Sequence, residues 1–151
     1  AVITQNVDNL HQRAGSKRVF ELHGNMRQAT CVKCYRAYDG MALFEKLVAN
    51  GEVPRCTVCS GVVKPDLILF GEMLPKGIMY QAELEARACD AMLVAGSSLE
   101  VSPACDLPWQ VAQRKAALII INIGKTPLDG RATVLIHDDV ALVLPRIVER
   151  I

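Results

Sequence analysis

Apolar runs of strand length alternate with amphipathic segments of helix length through the second half of the chain. The strand-like runs span residues 66–70, 91–95, 117–123 and 132–136. The helix-like segments span residues 77–90, 103–115 and 140–151, and the second has Ser102 as a candidate N-cap. Continuous Val, Ile and Leu strands separated by helices are typical of a parallel sheet with helices on both faces. We therefore predict an α/β fold.

Polar residues gather directly after the predicted strands. The densest group is Gln5, Asn6, Asp8, Asn9 and His11, which follows the apolar start of the chain. Comparable groups follow three later strands, namely Gly96-Ser97-Ser98, Asn122 and Asp138-Asp139. Ligands of parallel sheets collect at the carboxyl ends of strands, so one cleft is expected to receive Gln5-Asn6 and the three later groups. Asn9, Leu10 and His11 are expected to begin the following helix instead. Taken singly, Gly96-Ser97-Ser98 also suits a simple turn, and Asn122 also suits a loop cap.

Four of the six cysteines form two C-x-x-C pairs, Cys31 with Cys34 and Cys56 with Cys59, separated by 21 residues. A single pair would leave a redox role open, whereas two pairs favour four thiolates on one tetrahedral Zn²⁺. The interval has room for a helix over residues 41–50. The other two, Cys89 and Cys105, lie among small or apolar residues and are expected to be buried free thiols.

Composition narrows the class of protein. The 151 residues are 51% hydrophobic and 22% charged, with a net charge of +1, as expected of a globular chain with a substantial core. No basic cluster indicates nucleic acid, and no apolar stretch reaches the roughly 18 residues of a membrane span. Without a signal sequence, the protein is expected in the cytoplasm, with neither nucleic acid nor membrane as partner.

Two further segments have both a structural and a functional interpretation. His23 lies between a short apolar run and the first cysteine pair, where it could be a structural hydrogen-bonder, a zinc ligand or a general base. Four cysteines already complete a zinc site, which favours the last role over the second. Residues 64–72 form either a buried strand or a strand with a free edge, to which a peptide could add by main-chain pairing.

Together these stretches resemble the sirtuin family of NAD-dependent protein lysine deacylases. The matching motifs are Thr4-Gln5-Asn6-Val7-Asp8-Asn9-Leu10-His11, Glu21-Leu22-His23-Gly24, both C-x-x-C pairs, Lys64-Pro65-Asp66 through Phe70-Gly71-Glu72, Gly96-Ser97-Ser98-Leu99-Glu100-Val101-Ser102-Pro103, and Ile121-Asn122 with Thr126-Pro127-Leu128-Asp129. They follow one another in the family's order over residues 1 to 140. Ser60-Gly61 and Lys64 depart from residues common in the family.

The resemblance implies a role for each group of residues. His23 is the implied general base, and Asn6 helps to order the nicotinamide site and its water. The implied NAD contacts are Gln5, Asn6, Val7, Asp8, Gly96, Ser97, Ser98, Asn122, Asp139 and Val140. The implied contacts with an acyl-lysine peptide are Ile68, Phe70, Gly71, Glu72, Leu99, Glu100 and Val101. One structural zinc ion is implied at Cys31, Cys34, Cys56 and Cys59.

The resemblance also implies a reaction and a domain organisation. The acyl oxygen attacks the ribose carbon as nicotinamide leaves, and His23 then assists a ribose hydroxyl, giving free lysine and acyl-ADP-ribose. Residues 1–24 and 66–151 belong to a Rossmann-like NAD-binding domain, with a zinc module over residues 25–65. Ala1 already opens a strand, and the family's first strand and glycine-rich nucleotide loop precede the match to Thr4. The sheet in this chain is therefore expected to be incomplete.

Two other functions remain open from the sequence. The same site could carry out mono-ADP-ribosyl transfer as its main reaction. Alternatively, the chain as it stands could be a non-catalytic zinc-ribbon module that binds peptides or a partner protein. The polar set of Gln5, Asn6, Asp8 and His23 favours an enzyme, whereas the expected lack of a nucleotide loop favours the binding module.

Overall fold

The structure is a computed structural model that describes residues 1–69, 71–114 and 116–150. The chain divides into two compact units, Ala1–Met79 and Tyr80–Ile151. The first unit contains two small sheets and the second contains one. Within the described residues, every helix is too short or too polar to cross a membrane.

The first unit opens with a two-stranded parallel sheet. Strand β1 (Val2–Thr4) pairs with β2 (Val19–Glu21), and the short helix α1 (Leu10–Arg13) lies between them in the chain. A parallel pair needs a crossover connection of this kind because the chain must return to the same end of the sheet. The Leu22 amide donates to the Thr4 carbonyl at 2.9 Å, which extends the pairing to the point where both strands end.

The cysteine-bearing sheet of the first unit is antiparallel. Its order is β4-β3-β5, with β3 at Gly24–Cys31, β4 at Ala37–Asp39 and β5 at Val63–Leu67. Helix α2 (Gly40–Asn50) begins where the Asp39 carboxylate accepts the amides of Met41 and Ala42, and it packs on β3. The core between these elements consists of Ala29, Cys31, Cys56 and Val63.

The predicted strand at residues 66–70 is wrong in its bounds and in its partner. Strand β5 ends at Leu67 and pairs antiparallel with β3, with Val63 beside Cys31. This pairing places the segment in the cysteine-bearing sheet. The paired residues run from Cys31 with Val63 to Gly24 with Leu67, so the partner strand lies far earlier in the sequence and periodicity alone does not reveal it. Phe70 lies outside the described residues.

The second unit contains the predicted parallel sheet. Its order is β6-β7-β8, with β6 at Ala91–Ala95, β7 at Ala117–Ile121 and β8 at Val134–Ile136. Helix α3 (Lys76–Ala88) precedes β6, α4 (Asp106–Gln113) packs on β6 and β7, and α5 (Val140–Val148) follows β8. The core consists of Val94, Leu99, Leu118, Ile120 and Leu128. This arrangement confirms the α/β class predicted from the alternating pattern.

The predicted start of the helix at residue 103 is wrong. Helix α4 begins at Asp106, because the chain before it forms successive turns in which Val101 accepts the Cys105 amide and Pro103 accepts the Asp106 amide. The Ser102 hydroxyl donates to the Asp106 carboxylate at 3.4 Å and so does not cap a helix. The helix ends at Gln113, and Lys115 lies outside the described residues.

Four other elements are shorter than predicted. Helix α3 ends at Ala88 rather than at residue 90, and the Cys89 amide still donates to the Glu85 carbonyl at 3.0 Å. Strand β7 ends at Ile121. The next amide, that of Asn122, donates to the carbonyl of Ile136 at the end of β8. Strand β8 begins at Val134, since Ala132 closes the turn of a short 3-10 helix at Asp129–Arg131. Helix α5 ends at Val148 rather than at residue 151, which is outside the described residues.

Candidate functional site

His23 and Gln5 meet where β1 and β2 end. The Nδ1 atom of His23 lies 3.2 Å from the Gln5 carbonyl oxygen. A carbonyl can only accept, so we infer that the neutral ring carries its proton on Nδ1 and a lone pair on Nε2. Among the described residues Nε2 has no hydrogen-bond partner. A half-buried imidazole oriented by one nitrogen and open at the other has the geometry of a general base.

The loop after β1 is held by short-range hydrogen bonds that leave two side chains in solvent. The Asn6 amide donates to the Thr4 hydroxyl at 3.0 Å, and the Asp8 carboxylate accepts the Leu10 amide at 3.0 Å. Asn6 and Asp8 are exposed, whereas Val7 is half-buried. The structure therefore places the predicted residues of this stretch in one ordered loop beside His23.

An ion pair supports this loop and was not predicted. Arg27 on β3 binds the Glu21 carboxylate through both terminal nitrogens, at 2.8 and 2.6 Å, and also donates to the Asn9 side chain at 2.8 Å. The hydrogen bonds from Arg27 hold the pKa of Glu21 below its usual range, against the opposing effect of burial. The partners lie 6 and 18 residues from Arg27, so no local pattern marks them.

The segment after β5 approaches His23 through its backbone. The Ile68 amide donates to the His23 carbonyl at 3.0 Å. Glu72 accepts the Leu69 amide at 2.9 Å and the Lys64 ammonium at 2.7 Å, and these two bonds lower the pKa of its carboxyl. Gly71 adopts a positive φ of 88°, as the tight turn between Leu69 and Glu72 requires.

A cavity of about 460 Å³ lies over β3 and β5 in the first unit. Its walls include Tyr35, Lys64, Ile68 and Glu72. A volume of this size is within the usual range for sites that hold small molecules or side chains of a peptide. Two of the predicted peptide contacts, Ile68 and Glu72, therefore line one concave surface.

The four paired cysteines converge on one point. Their sulfur atoms all lie within 4.8 Å of one another, and the Sγ atoms of Cys31 and Cys59 are 3.5 Å apart, as are those of Cys34 and Cys56. Tetrahedral zinc with Zn–S bonds of about 2.3 Å requires sulfurs separated by about 3.8 Å. The donor set therefore fits a structural zinc ion, and His23 does not belong to it.

Backbone and phenol donors surround two of these sulfurs. The Lys33 amide donates to Cys31 and the Val58 amide to Cys56, each at 3.4 Å. The Tyr38 hydroxyl donates to Cys56 at 3.1 Å and, with burial opposing it, lowers the pKa of that thiol to about 5. Tyr38 also accepts the Thr57 amide at 3.1 Å, so the phenol bridges β4 to the second cysteine pair.

Mutual crowding of the thiols has the opposite effect on Cys59. The Gly61 amide lowers the pKa of this thiol, but Cys34, burial, Cys31 and Cys56 together raise it to about 12. Four thiolates at this separation repel one another, and a divalent cation at their centre relieves that repulsion. The electrostatics of the cluster thus agree with its geometry.

Three predicted groups lie at the carboxyl edge of the parallel sheet in the second unit. The Gly96 amide donates to the Ile121 carbonyl at 3.0 Å, and the Asn122 amide donates to the Ile136 carbonyl at 3.1 Å. Asp139 caps α5 by accepting the Ala141 amide at 2.8 Å, and Val140 begins that helix. A Cβ at Gly96 would lie 3.7 Å from a methyl of Val140, so these two positions are neighbours.

The residues after Gly96 differ in exposure. Ser97 accepts the Leu99 amide at 3.3 Å and is half-buried, whereas Ser98 is exposed. The Leu99 side chain belongs to the core and is 9% exposed, which leaves its backbone as the part available to a ligand. Glu100 and Val101 are exposed.

The two remaining cysteines are free thiols but are half-buried rather than buried. Cys89 donates to the Ala86 carbonyl at 3.4 Å. Burial, together with the nearby Asp106 carboxylate, raises the pKa of Cys105. A raised pKa suppresses the thiolate, so Cys105 has low nucleophilicity.

Comparison with known proteins agrees with this fold and with this set of motifs. The sequence profile of the Sir2 family matches residues 1–103. The chain belongs to the Sir2 family. This result confirms the resemblance drawn from the motifs, including the Rossmann-like sheet with a zinc-binding cysteine cluster.

Relatives and solved structures cover nearly the whole chain. It is 47% identical over 152 residues to "NAD-dependent protein deacylase 2" of Archaeoglobus fulgidus, covering 100% of this chain and 60% of the relative. The "NAD-dependent protein deacetylase" of Thermotoga maritima is 42% identical, with 99% and 60% covered. A solved structure described as Sir2Tm bound to a propionylated peptide superposes with a TM-score of 0.93 at 41% identity, with 99% and 63% covered. The chain therefore spans about 60% of the length of these relatives.

Proposed function

We propose that the whole protein to which this chain belongs removes acyl groups from protein lysines in an NAD-dependent reaction. The observation that carries the proposal is the His23 side chain, oriented by the Gln5 carbonyl with Nε2 open, at the carboxyl ends of two parallel strands. Relatives described as NAD-dependent deacetylases support it. So does the similarity to Sir2 structures described with a p53 peptide and NAD⁺ and with an acetylated peptide.

In this proposal the chain's own residues bind NAD and move one proton. NAD supplies the ribose carbon from which nicotinamide departs. Gln5 and Asn6 orient the nicotinamide ribose, and Asp8 with the Val7 backbone binds the carboxamide. His23 accepts the proton of a ribose hydroxyl at Nε2, while the Gln5 carbonyl holds Nδ1–H and stabilises the charged ring.

The ADP-ribose part of NAD is proposed to lie at the carboxyl edge of β6-β7-β8. The proposed contacts there are Gly96, Ser97, Ser98, Asn122, Asp139 and Val140. The position of Gly96 beside the start of α5 supports this assignment, because a Cβ at Gly96 would lie 3.7 Å from a Val140 methyl and the N-terminus of a helix favours anions. The proposed domains are residues 1–24 with 66–151 for NAD, and residues 25–65 for zinc.

The acyl-lysine peptide is proposed to contact two short segments. One comprises Ile68, Phe70, Gly71 and Glu72, and the other comprises Leu99, Glu100 and Val101. The hydrogen bond between Ile68 and the His23 backbone supports the first assignment, since it holds this segment beside the proposed base. Within the described residues β5 has β3 as its strand partner on one side, which leaves an edge for main-chain pairing.

Product analysis tests the proposal and separates it from mono-ADP-ribosyl transfer. The whole protein is incubated with NAD and an acetyl-lysine peptide, and the products are identified by mass spectrometry. Deacylation predicts a peptide lighter by one acetyl group, with nicotinamide and acetyl-ADP-ribose in equal amounts. A peptide or protein heavier by one ADP-ribose would instead show the transferase, which uses the same strand-end site.

The second candidate function concerns this chain of 151 residues by itself. The closed cysteine cluster and the 460 Å³ cavity beside it favour a peptide-binding zinc module, since neither feature involves NAD. Calorimetric titration of the chain with NAD distinguishes the two functions. Micromolar binding of NAD is expected if the chain carries the enzyme site, and no binding is expected of a peptide-binding zinc module.

A cytoplasmic location is also proposed. None of the six cysteines forms a disulfide in the described part of the chain, and cysteines persist in this form in reducing compartments.

A further inference from the structure

His137, directly after β8, makes a hydrogen bond to the backbone after β7 and an ion-pair contact with a carboxylate on the 3-10 helix. The Nδ1 atom of His137 lies 3.1 Å from the Asn122 carbonyl oxygen, and its Nε2 atom lies 3.2 Å from an Asp129 carboxylate oxygen. Asn122 is the residue assigned above to the ADP-ribose part of NAD. His137 lies outside the sequence motifs that mark the site, and no local pattern marks its partners 15 and 8 residues away.

Asp129 is firmly held as a charged acceptor. Its other carboxylate oxygen accepts the Thr126 hydroxyl at 2.7 Å and the Thr126 amide at 3.0 Å, and Thr126 is 8% exposed. These bonds, with a smaller contribution from His137, lower the pKa of Asp129. Because the carboxylate is fixed by Thr126, the position of His137 is fixed in turn.

Both partners of His137 offer acceptor atoms only. The Asn122 carbonyl and the Asp129 carboxylate are both acceptors, so both ring nitrogens must donate for the two bonds to exist together. Only the doubly protonated, positively charged ring has two donors. When one proton leaves, the remaining proton stays on Nε2, because a hydrogen bond to a carboxylate is stronger than one to a carbonyl. The lone pair on Nδ1 then faces the Asn122 oxygen and the contact is lost.

We propose that the charged form of His137 positions Asn122 for the ADP-ribose part of NAD, so that affinity for this part falls as His137 loses its proton. The inference rests on the proposed function. His137 is a positioning residue, since it acts through Asn122. The Asn122 side chain donates to the Gly124 carbonyl at 2.9 Å, so its loop folds back on itself. The Asn122 amide already donates to the Ile136 carbonyl at 3.1 Å, and the contact between His137 and the Asn122 carbonyl adds a second link between this loop and the end of β8.

Other charged groups also lie in the adjoining segments. They are Lys125 in the loop after β7, Asp129 and Arg131 on the 3-10 helix, and Asp138 and Asp139 before α5. Arg131 lies over the Trp109 ring at 4.4 Å. Asp139 is engaged at the start of α5. Strand β7 contributes apolar side chains only, so Asp129 is the ion-pair partner of His137.

Nuclear magnetic resonance of this chain tests the contact without NAD. Ring nitrogen shifts of His137 and backbone amide shifts of residues 122–125 are followed from about pH 5 to 8, the range in which histidines change charge. We expect a doubly protonated ring at the acid end and loop amides that move with its titration. His137→Asn keeps a donor at the place of Nδ1 and should abolish this movement, whereas His11→Asn should not. Amide shifts of residues 122–125 that stay constant while the ring of His137 changes charge would overturn the inference.

Affinity for ADP-ribose tests the consequence in the whole protein. His137→Ala is expected to weaken binding about tenfold at about pH 6, the loss of one charge-assisted hydrogen bond. The wild-type protein should bind ADP-ribose less tightly at about pH 8 than at about pH 6, whereas His137→Asn should have the same affinity at both pH values. A His137→Ala variant with wild-type affinity at both pH values would contradict the inference. Failure of every variant to bind ADP-ribose would contradict the proposed function, while the resonance experiment still decides the His137 contact.

Discussion

The cysteine cluster and the polar loop after β1 lie in the same unit but differ in where their functional atoms point. The four sulfurs face one another, and two of them accept backbone amides. In the loop, Asn6 and Asp8 are exposed and His23 keeps one ring nitrogen open among the described residues. A structural metal site is complete within the protein, whereas a reactive site leaves groups available to a ligand. The first region should therefore govern folding, and the second should govern turnover.

Removal of zinc is expected to have the largest effect. Structural zinc sites contribute about 10–16 kcal/mol to the folding of small modules. Chelation should therefore abolish the amide protection of β3, β4 and β5 and expose the core formed by Ala29 and Val63. Hydrogen exchange of the chain with and without chelator measures this loss. Amides of β6-β8 serve as the internal control, and unchanged protection in β3-β5 would mean that the cluster is not a zinc site.

Replacement of His23 tests the expectation that the region around the polar loop governs turnover and not folding. His23→Ala removes the proposed general base, which acts after nicotinamide has left, and should lower the formation of acetyl-ADP-ribose by the whole protein about a hundredfold to ten-thousandfold. Zinc content and thermal stability should stay near those of the wild type, because His23 lies outside the cysteine cluster. His11→Ala is the matched control and should retain full activity. Undiminished formation of acetyl-ADP-ribose by His23→Ala would refute its role as base.

Replacement of Tyr38 tests how the surroundings of the cysteine cluster affect zinc affinity. Tyr38→Phe removes the donor to Cys56 and leaves the ring in place, so zinc affinity should fall about tenfold, the usual scale for a hydrogen bond to a metal ligand. Competition with a colorimetric chelator gives the affinity. Tyr35→Phe is the control, since Tyr35 is 80% exposed. Equal zinc affinity in both variants would show that the phenol does not support the site.

The Glu21–Arg27 pair is expected to have the smallest effect. Glu21→Gln should destabilise the chain by about 1 kcal/mol at pH 7, because Arg27 is 37% exposed and solvent weakens the pair. The folded-state pKa of Glu21 lies below its ordinary value of 4.5. Its contribution is therefore present above pH 4.5 and is lost as the pH falls through the lower, folded-state pKa.

Urea denaturation at a series of pH values measures this contribution. The wild type and Glu21→Gln should differ at neutral pH and converge in acid. Glu83→Gln provides a control, since its pair with Arg87 is a single contact of 3.5 Å on the surface. A difference that persists unchanged below the range in which Glu21 titrates would contradict the ion-pair explanation.

Sequence pattern was sufficient where the determining contacts are local. Each C-x-x-C turn brings its own two sulfurs together, and the second copy of the motif completes the set of four. The cluster could therefore be predicted from spacing alone. The parallel strands at 91–95 and 117–121 could be predicted from their continuous apolar runs. In both cases the neighbours along the chain decide the structure.

The errors and omissions arose from contacts between distant residues. Strand β5 takes its bounds from pairing with β3, and α4 begins late because Pro103 and Val101 engage in turns. The Arg27 network and the His137 bridge each connect elements that are far apart in sequence. Polar residues of these kinds also occur on ordinary surfaces, so their identity alone does not reveal a partner.

Nicotinamide release by the whole protein, with and without an acetyl-lysine peptide, tests the proposed activity most directly. The strand-end site is proposed to hold NAD until the acyl oxygen displaces nicotinamide. Release should therefore depend on the peptide and equal the amount of peptide deacylated. Nicotinamide released at the same rate without peptide, or in excess of deacylated lysine, would contradict NAD-dependent deacylation as the function of this site.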